Sequence, residues 1–473
     1  MTDLPQAPQF SDWYDPDPAL LKLGDAFYDP VEAADFPQTI LRFRNDRAAA
    51  EVALEGLSEE AWLRHFGRFE PLPGNLPQPL AMRYHGHQFR VYNPELGDGR
   101  GFTFAQMRNS HMKDLMELGT KGSGQTPWSR FGDGRLTLKG GVREVLATEM
   151  LQALGVRTSR SFSLIETGEA LERNDEPSPT RSAVLVRMSH GQIRIGTFQR
   201  LAYHGEAENM RRLVDWCLAE LFLVPPDDDP VAQFFELVVA RTAALACEYM
   251  VAGFVHGVLN TDNINVTGES FDYGPWRFAP TFDPGFTAAY FDHAGLYAFG
   301  RQPDAILWNV AQLAVSLRII SEAPPLIERL EKFESYYRMF YELPLLRRLG
   351  LRTPDGTIEP ELGWALKGAI EAALMATGHS IDRFFFDAYG GVLPDNYGAE
   401  WGAVRAALAE YQPVPAERSH AYFTEGEPCS MLIDEVEAIW AAIDRDDDWE
   451  PFHAKVAAIR AMGAALDAGA HDW

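Results

Sequence analysis

The chain reads as an α+β protein with a mixed first part and a mainly helical second part. Three observations predict this. Short strand-like runs and Gly-rich turns alternate with helices through residues 25–200. From about residue 205 helical patterns follow one another almost without a break. The richest collection of polar, chemistry-bearing residues falls near the junction between the two parts.

Taken in order, residues 1–24 are rich in Pro and Asp and read as a loosely ordered arm. In the stretch 25–204, "RAAAEVALEGLSEEAWLRHFG" reads as helix, while "GFTFAQM", "LMELGTKG" and "SAVLVRM" read as strands. "GVREVLATEMLQALG" has helical apolar spacing and closes on Gly155, a C-cap residue. In the stretch 205–395, "VAQFFELVVARTAALACEYMVAGF" is apolar enough to be buried nearly all round. Further helices are expected at about 303–321, 324–341 and 359–377, and, in an extension over 396–473, at 398–411, 430–444 and 450–468. The acidic runs that start at Asp227 and Asp444 read as solvated helix flanks, because they lack the alternating ligand pattern of a calcium loop.

Composition narrows the function. The 473 residues carry 42 basic and 68 acidic side chains, a formal charge of −26. Such a surface repels phosphate backbones and argues against nucleic-acid binding. Any anionic ligand must then be held by a focused cluster of cations. Three cysteines occur, with no zinc-type spacing; Cys217 and Cys247 sit in apolar helical contexts and read as core, and Cys429 stands apart. The cysteine usage, the absence of a basic-then-apolar leader and the absence of an apolar run of membrane length predict a cytoplasmic protein.

The junction holds "HGVLNTDNINV", His256 to Val266, followed by "DYG", Asp272 to Gly274. A kinase catalytic loop has an Asp two residues after its His and a metal-binding Asn five residues beyond that. Here Val258 takes the Asp position and Asn263 the Asn position. Asn263 and Asp272 suit a magnesium ion that keeps waters and phosphate oxygens as its other ligands, or else they are a turn and a cap. Asp262 is either a displaced general base or a turn cap; the sequence favours neither. Upstream, "ELGDGRG" lets a backbone approach phosphate, with Arg100 as a planar donor. Lys121 follows a strand, and Glu144 on the next helix can pair with it. Arg187 ends an apolar strand, where a charge needs a partner, and with Arg194 and Lys121 it would make the cationic pocket that this acidic chain requires.

Together "YHGHQF" with "NPELGDGRG", "KGSGQTPWSR", "DGR" with "VREVLATE", "VLVRMSHGQIRIGTF", "HGVLNTDNI", "DYGPW" and "FGRQPDAILWNVAQLA" resemble the selenoprotein-O-like (YdiU) family over roughly residues 25 to 395. Its members are protein adenylyltransferases with a pseudokinase fold. The resemblance implies a bilobal kinase-like fold, ATP bound in a flipped orientation, and transfer of AMP to Ser, Thr or Tyr hydroxyls of proteins with pyrophosphate leaving. It implies that Gly97, Gly99 and Arg100 contact nucleotide, that Lys121 binds phosphate and pairs with Glu144, and that Asp133 and Gly134 line the pocket. Arg187 and Arg194 would hold the displaced phosphates, Asp262 would accept the proton, and Asn263 and Asp272 would hold Mg2+, or Mn2+ in its place. UMP transfer with manganese is one alternative. A γ-phosphoryl transferase is another, against which Val258 stands. A nucleotide-binding scaffold is a third, against which the full set of catalytic residues stands. Two departures from the family are Arg90, where many members have Gly, and the ending "DAGAHDW", which lacks the family's Cys- or selenocysteine-containing segment.

Overall fold

A computed structural model describes residues 10–174, 176–414, 420–424 and 426–467. Its main element is an antiparallel sheet of eight strands: β1 (Tyr28–Pro30), β2 (Ile40–Arg44), β3 (Leu80–Met82), β4 (Thr103–Arg108), β5 (Leu115–Lys121), β6 (Leu136–Thr137), β7 (Arg160–Leu171) and β8 (Thr180–Ser189). They run in the order β1-β3-β4-β5-β8-β7-β2, with β6 paired onto β8. The three strands foreseen in the sequence are β4, β5 and β8, the centre of the sheet. The long β7 and the edge strands β1 and β2 were not foreseen.

Side chains alternate across this sheet with period two, and the two faces carry separate cores. Val184, Val186 and Met188 of β8 join Met116 and Leu118 of β5 in a core capped by Trp62 and Phe66. Trp62 stacks on Phe162 of β7 with ring centres 4.9 Å apart. Ala183 and Leu185 face the opposite core, under helix α1 (Leu138–Ala153). That second core runs on without interruption into the helical part of the chain.

The helical part is built on α2 (Ile195–Tyr203) and α3 (Pro230–Ala252). Asp229 caps α3 through a bond from the Ala232 amide (3.1 Å), Pro230 opens it, and Gly253 ends it in the left-handed region. The acidic run at Asp227 is therefore a helix flank, as expected. Cys217 and Cys247 lie in the core, and Cys429 is half-buried. No helix among the described residues is long and apolar enough to cross a membrane.

Several expected elements differ. The helix anticipated over "RAAAEVALEGLSEEAWLRHFG" is two, Asp46–Glu51 and Glu59–Gly67, because Ala53 turns to φ 57° and Ser58 caps a fresh start by accepting from the Ala61 amide. The helix expected at 324–341 breaks between Leu330 and Phe333, and that at 398–411 reduces to a short helical stretch over 399–408. Residues 10–24 are not loose: Ala19, Leu20 and Leu23 are buried, and Trp216 donates to the Ala19 carbonyl at 2.9 Å. Apolar residues spaced for one turn of 3-10 helix gave too short a pattern to stand out among the Pro and Asp. Residues 1–9 of the anticipated arm lie outside the described residues.

The last helix, α4 (Glu450–Asp467), lies along α1. Arg460 grips the buried Glu149 of α1 through two bonds of 2.8 Å, and Arg47 adds a third at 3.1 Å. Lys139 of α1 pairs with Glu437 of the preceding helix at 2.7 Å. Hydrogen bonds to a charged group contribute about 1.5–3 kcal/mol each way of counting. Arg460→Ala is therefore expected to lower unfolding free energy by about 2–3 kcal/mol, read from the denaturant midpoint. An unchanged midpoint would show that α4 does not hold α1.

Candidate functional site

Strand alternation selects the functional face. With Met116 and Leu118 turned into one core, Glu117, Gly119 and Lys121 of β5 face the other way. On β8, Arg187 likewise points opposite to Val186 and Met188. The register sets Lys121 against Leu185 and Gly119 against Arg187, so the two cations are diagonal neighbours on one face. Helix α1 crosses this face and presents Glu144, whose Oε1 forms an ion pair with Lys121 Nζ. Arg194 enters from the N-terminal end of α2.

All three cations meet Asp272. Arg187 Nη1 donates to its Oδ1, Arg194 Nη1 to its Oδ2 at 2.8 Å, and Lys121 Nζ lies 3.8 Å from Oδ1. The Arg194 guanidinium lies over the rings of both Tyr84 (4.4 Å) and Phe271 (4.7 Å). Burial alone would raise the Asp272 pKa, but Arg187, Arg194 and Lys121 outweigh it and hold the carboxyl well below the usual range. Lys121 moves the other way: burial lowers its pKa, and Glu144 opposes the fall. Asp272 has φ 60°, an arrangement that costs a non-glycine residue on the order of 1–2 kcal/mol and that the three cations hold in place.

The loop carrying the kinase-like motif is pinned from several sides. His256 Nε2 bonds the Phe271 carbonyl at 2.9 Å, and its Nδ1 receives the Val258 amide at 3.4 Å, which fixes the Nε2–H tautomer. Burial lowers the His256 pKa, so the ring is neutral. It is a staple between the two loops rather than a reactant. Thr261 accepts from the His87 amide (2.6 Å) and donates to Gln199 (2.7 Å). Asn260 accepts from the Phe89 amide (3.0 Å) and from Tyr297 (2.7 Å).

Asp262 is buried, 7 % exposed, and its Oδ1 has no hydrogen-bond partner. The Gly86 backbone presses so closely that an added Cβ would stand 2.9 Å from that oxygen. Burial pushes the Asp262 carboxyl up to about 6, against the pull of Arg194, which also donates to the Asp262 backbone carbonyl at 2.9 Å. The Asp262 backbone amide and the Gln88 side chain also pull the carboxyl down against its burial.

Asn263 donates Nδ2 to the Val258 carbonyl at 2.9 Å, which leaves its Oδ1 as the free acceptor. Asp272 oxygens each keep a second lone pair beyond the arginine contacts. One amide oxygen and one carboxylate lining the same cleft fit a cation that takes its remaining ligands from water and phosphate. Among the described residues no group of three or more His, Cys, Asp or Glu gathers as an all-protein metal cage.

These groups line one cleft of about 950 Å³. Gly97, Gly99, Arg100, Lys121, Asp133, Gly134, Arg187, Arg194, Asp262, Asn263 and Asp272 all border it, and Glu144 stands behind Lys121. Two of them lie toward solvent, though the Arg100 charge still acts on Lys121. Arg100 is exposed, and Asp133 is exposed and engaged by Arg173 at 2.8 Å. Val258 lines the cleft at the place where a kinase would have its base. Two buried residues were missed. Asp98 receives the Met82 amide (3.0 Å) and contacts Arg194 (3.4 Å); its position between two glycines of "LGDGRG" was the available signal. Gln192 braces Arg187 (3.4 Å) and fills the space beside Gly119; nothing in the sequence marked it.

A family model described as protein adenylyltransferase SelO matches residues 13–389. A protein from Synechocystis sp. named protein nucleotidyltransferase YdiU is 45 % identical, covering 92 % of this chain and 96 % of its own. A protein of the same name from Gloeobacter violaceus is 44 % identical over 94 % and 95 %. Another from Vibrio cholerae is 36 % identical over 70 % and 67 %.

The ionisation of Asp262 generates a stability prediction. Its folded pKa stands above the unfolded value of 3.8, so the native state keeps a proton that the unfolded chain releases between about pH 4 and 6. Stability from this group therefore falls as pH rises through that window. Replacing it with a neutral isostere, Asp262→Asn, is expected to raise unfolding free energy at pH 7 by about 3 kcal/mol, with the gain shrinking to nothing near pH 4. Denaturant titrations at pH 4 and pH 7 check this, and a gain that does not change with pH would refute it.

Proposed function

The chain belongs to the SelO family of protein adenylyltransferases, and on that footing we propose that it moves AMP from ATP to Ser, Thr or Tyr hydroxyls of proteins, using a bilobal kinase-like fold. In this reading residues 25–204 form the N-lobe, 205–395 the helical C-lobe, and 396–473 an extension. The observation that carries the reading is the convergence of Lys121, Arg187 and Arg194 on Asp272 at the buried end of the cleft. That end suits polyphosphate. The β- and γ-phosphates therefore go inward and the α-phosphorus faces the open side, opposite to the order in a kinase.

The acceptor hydroxyl oxygen attacks the α-phosphorus while the bond from that phosphorus to the bridging oxygen of pyrophosphate breaks. The hydroxyl proton passes to the carboxylate of Asp262, which borders the cleft. Charge building on the leaving oxygens meets Arg187, Arg194 and Lys121, donors already oriented before the reaction. Asn263 and Asp272 would hold a divalent cation, Mg2+ or Mn2+, which neutralises phosphate charge when bound. Val258 stands at the usual kinase-base position because the acceptor approaches a different phosphorus.

Three measurements test this. Protein incubated with an acceptor and Mg2+ is expected to transfer label from α-labelled ATP and none from γ-labelled ATP; label from the γ position would make it a kinase. Asp262→Ala is expected to keep nucleotide affinity and lose transfer, whereas Arg187→Ala is expected to lower kcat by a factor on the order of 10²–10³. With the Asp262 carboxyl near 6, kcat/KM is expected to climb with pH through about 6 and level off above it, and a profile flat from pH 5 to 8 would remove Asp262 as the base.

A further inference from the structure

Among the described residues three aromatic rings border the cleft, and they are not equivalent. Tyr84 is buried, with the Arg194 guanidinium over its face. Trp128 is packed so tightly on Gly97 that an added Cβ would lie 2.4 Å from the indole, and its Nε1 donates to Asp29 at 2.9 Å. Phe131 is fully exposed, at 107 % of its reference area.

Phe131 is also held in place. It sits at the tip of the turn 125–135, where the Gly132 amide bonds the Ser129 carbonyl (2.7 Å) and Gln125 Nε2 bonds the Gly132 carbonyl (2.8 Å). The turn is stitched to the Gly-rich segment by Thr126, which donates to the Asp98 carbonyl, and by Ser129, which donates to the Gly99 carbonyl. Arg130 takes φ 54°, a conformation that an ordinary surface turn would assign to Gly or Asn. Strained backbone and extensive bonding thus fix the turn from which an exposed phenyl ring projects at the mouth of a cleft whose far end is charged.

We infer that Phe131 is the platform on which the nucleobase of the bound nucleotide stacks. The inference rests on reading the cleft as a nucleotide site with phosphates inward, and it adds where the base goes. With the inner end occupied by Lys121, Arg187, Arg194 and Asp272, a base at the rim needs an apolar face, and the free face among the rings bordering the cleft belongs to Phe131. Stacking on a single ring tolerates any base, because every base has a π face, so recognition at this end rests on surface contact more than on hydrogen-bond matching.

The experiment is calorimetric titration of the full chain with ATP and, separately, with inorganic tripolyphosphate, which has no base. Phe131→Ala is expected to weaken ATP binding about tenfold and leave tripolyphosphate binding unchanged, while Phe131→Trp keeps or improves ATP affinity. Because the ring touches solvent alone, the thermal midpoint should not move. If wild type binds both probes and Phe131→Ala binds ATP as tightly as wild type, the inference fails by itself, including where the variant loses transfer to a protein acceptor, since the ring would then serve the acceptor. If wild type binds neither probe, the nucleotide reading of the cleft fails and takes the inference with it.

Discussion

The structure depends on one partly buried carboxylate. Asp272 collects a lysine from the sheet, an arginine from the neighbouring strand and a second arginine from the helix that follows. Each of those cations would carry a large desolvation cost alone, and Asp272 would carry its own. Their geometry has to be close to ideal for the cluster to be tolerated, so the neighbouring elements have little freedom. The His256 staple to Phe271, the Gln192 brace on Arg187 and the ring sandwich around Arg194 are all devices that fix this cluster. The cluster proposed to receive polyphosphate is thereby held in place by contacts within the protein.

The same arrangement reconciles two facts that pull apart. The chain is strongly acidic overall, yet the ligand proposed for it is a polyanion. Long-range field lines repel the ligand, and salt screens exposed charges beyond roughly 8 Å at physiological ionic strength. Buried cations are screened far less. The positive charge is therefore concentrated where dielectric and screening are lowest, and the acidic surface is left to discourage nonspecific contacts with other phosphates.

Much of this was legible in the sequence, for identifiable reasons. Strands at the centre of the sheet have uninterrupted apolar patterns and were visible as "GFTFAQM", "LMELGTKG" and "SAVLVRM". Edge strands are short and half-polar, and β1 and β2 passed unnoticed. Among the candidate site residues, Arg187 stood out as a charge in an apolar strand, whereas Asp262, Asn263 and Asp272 stood out through kinase-like spacing. Asp98 and Gln192 did not, because their roles arise from tertiary neighbours and not from local pattern. The break at Ala53 likewise comes from a turn that helical propensity alone would read through.

The position of Asp272 in the chain has a consequence for synthesis. Lys121, Arg187 and Arg194 all leave the ribosome before it does; Glu144 and Asp98, made by then, can meet Lys121 and Arg194, but the carboxylate that pairs with Arg187 is still missing. The completed sheet cannot be dried around Arg187 in that interval without leaving its charge unpaired, which costs several kcal/mol. The cluster is therefore complete only once residue 272 has been made. A chain ending short of this residue would carry both arginines without the carboxylate on which they converge.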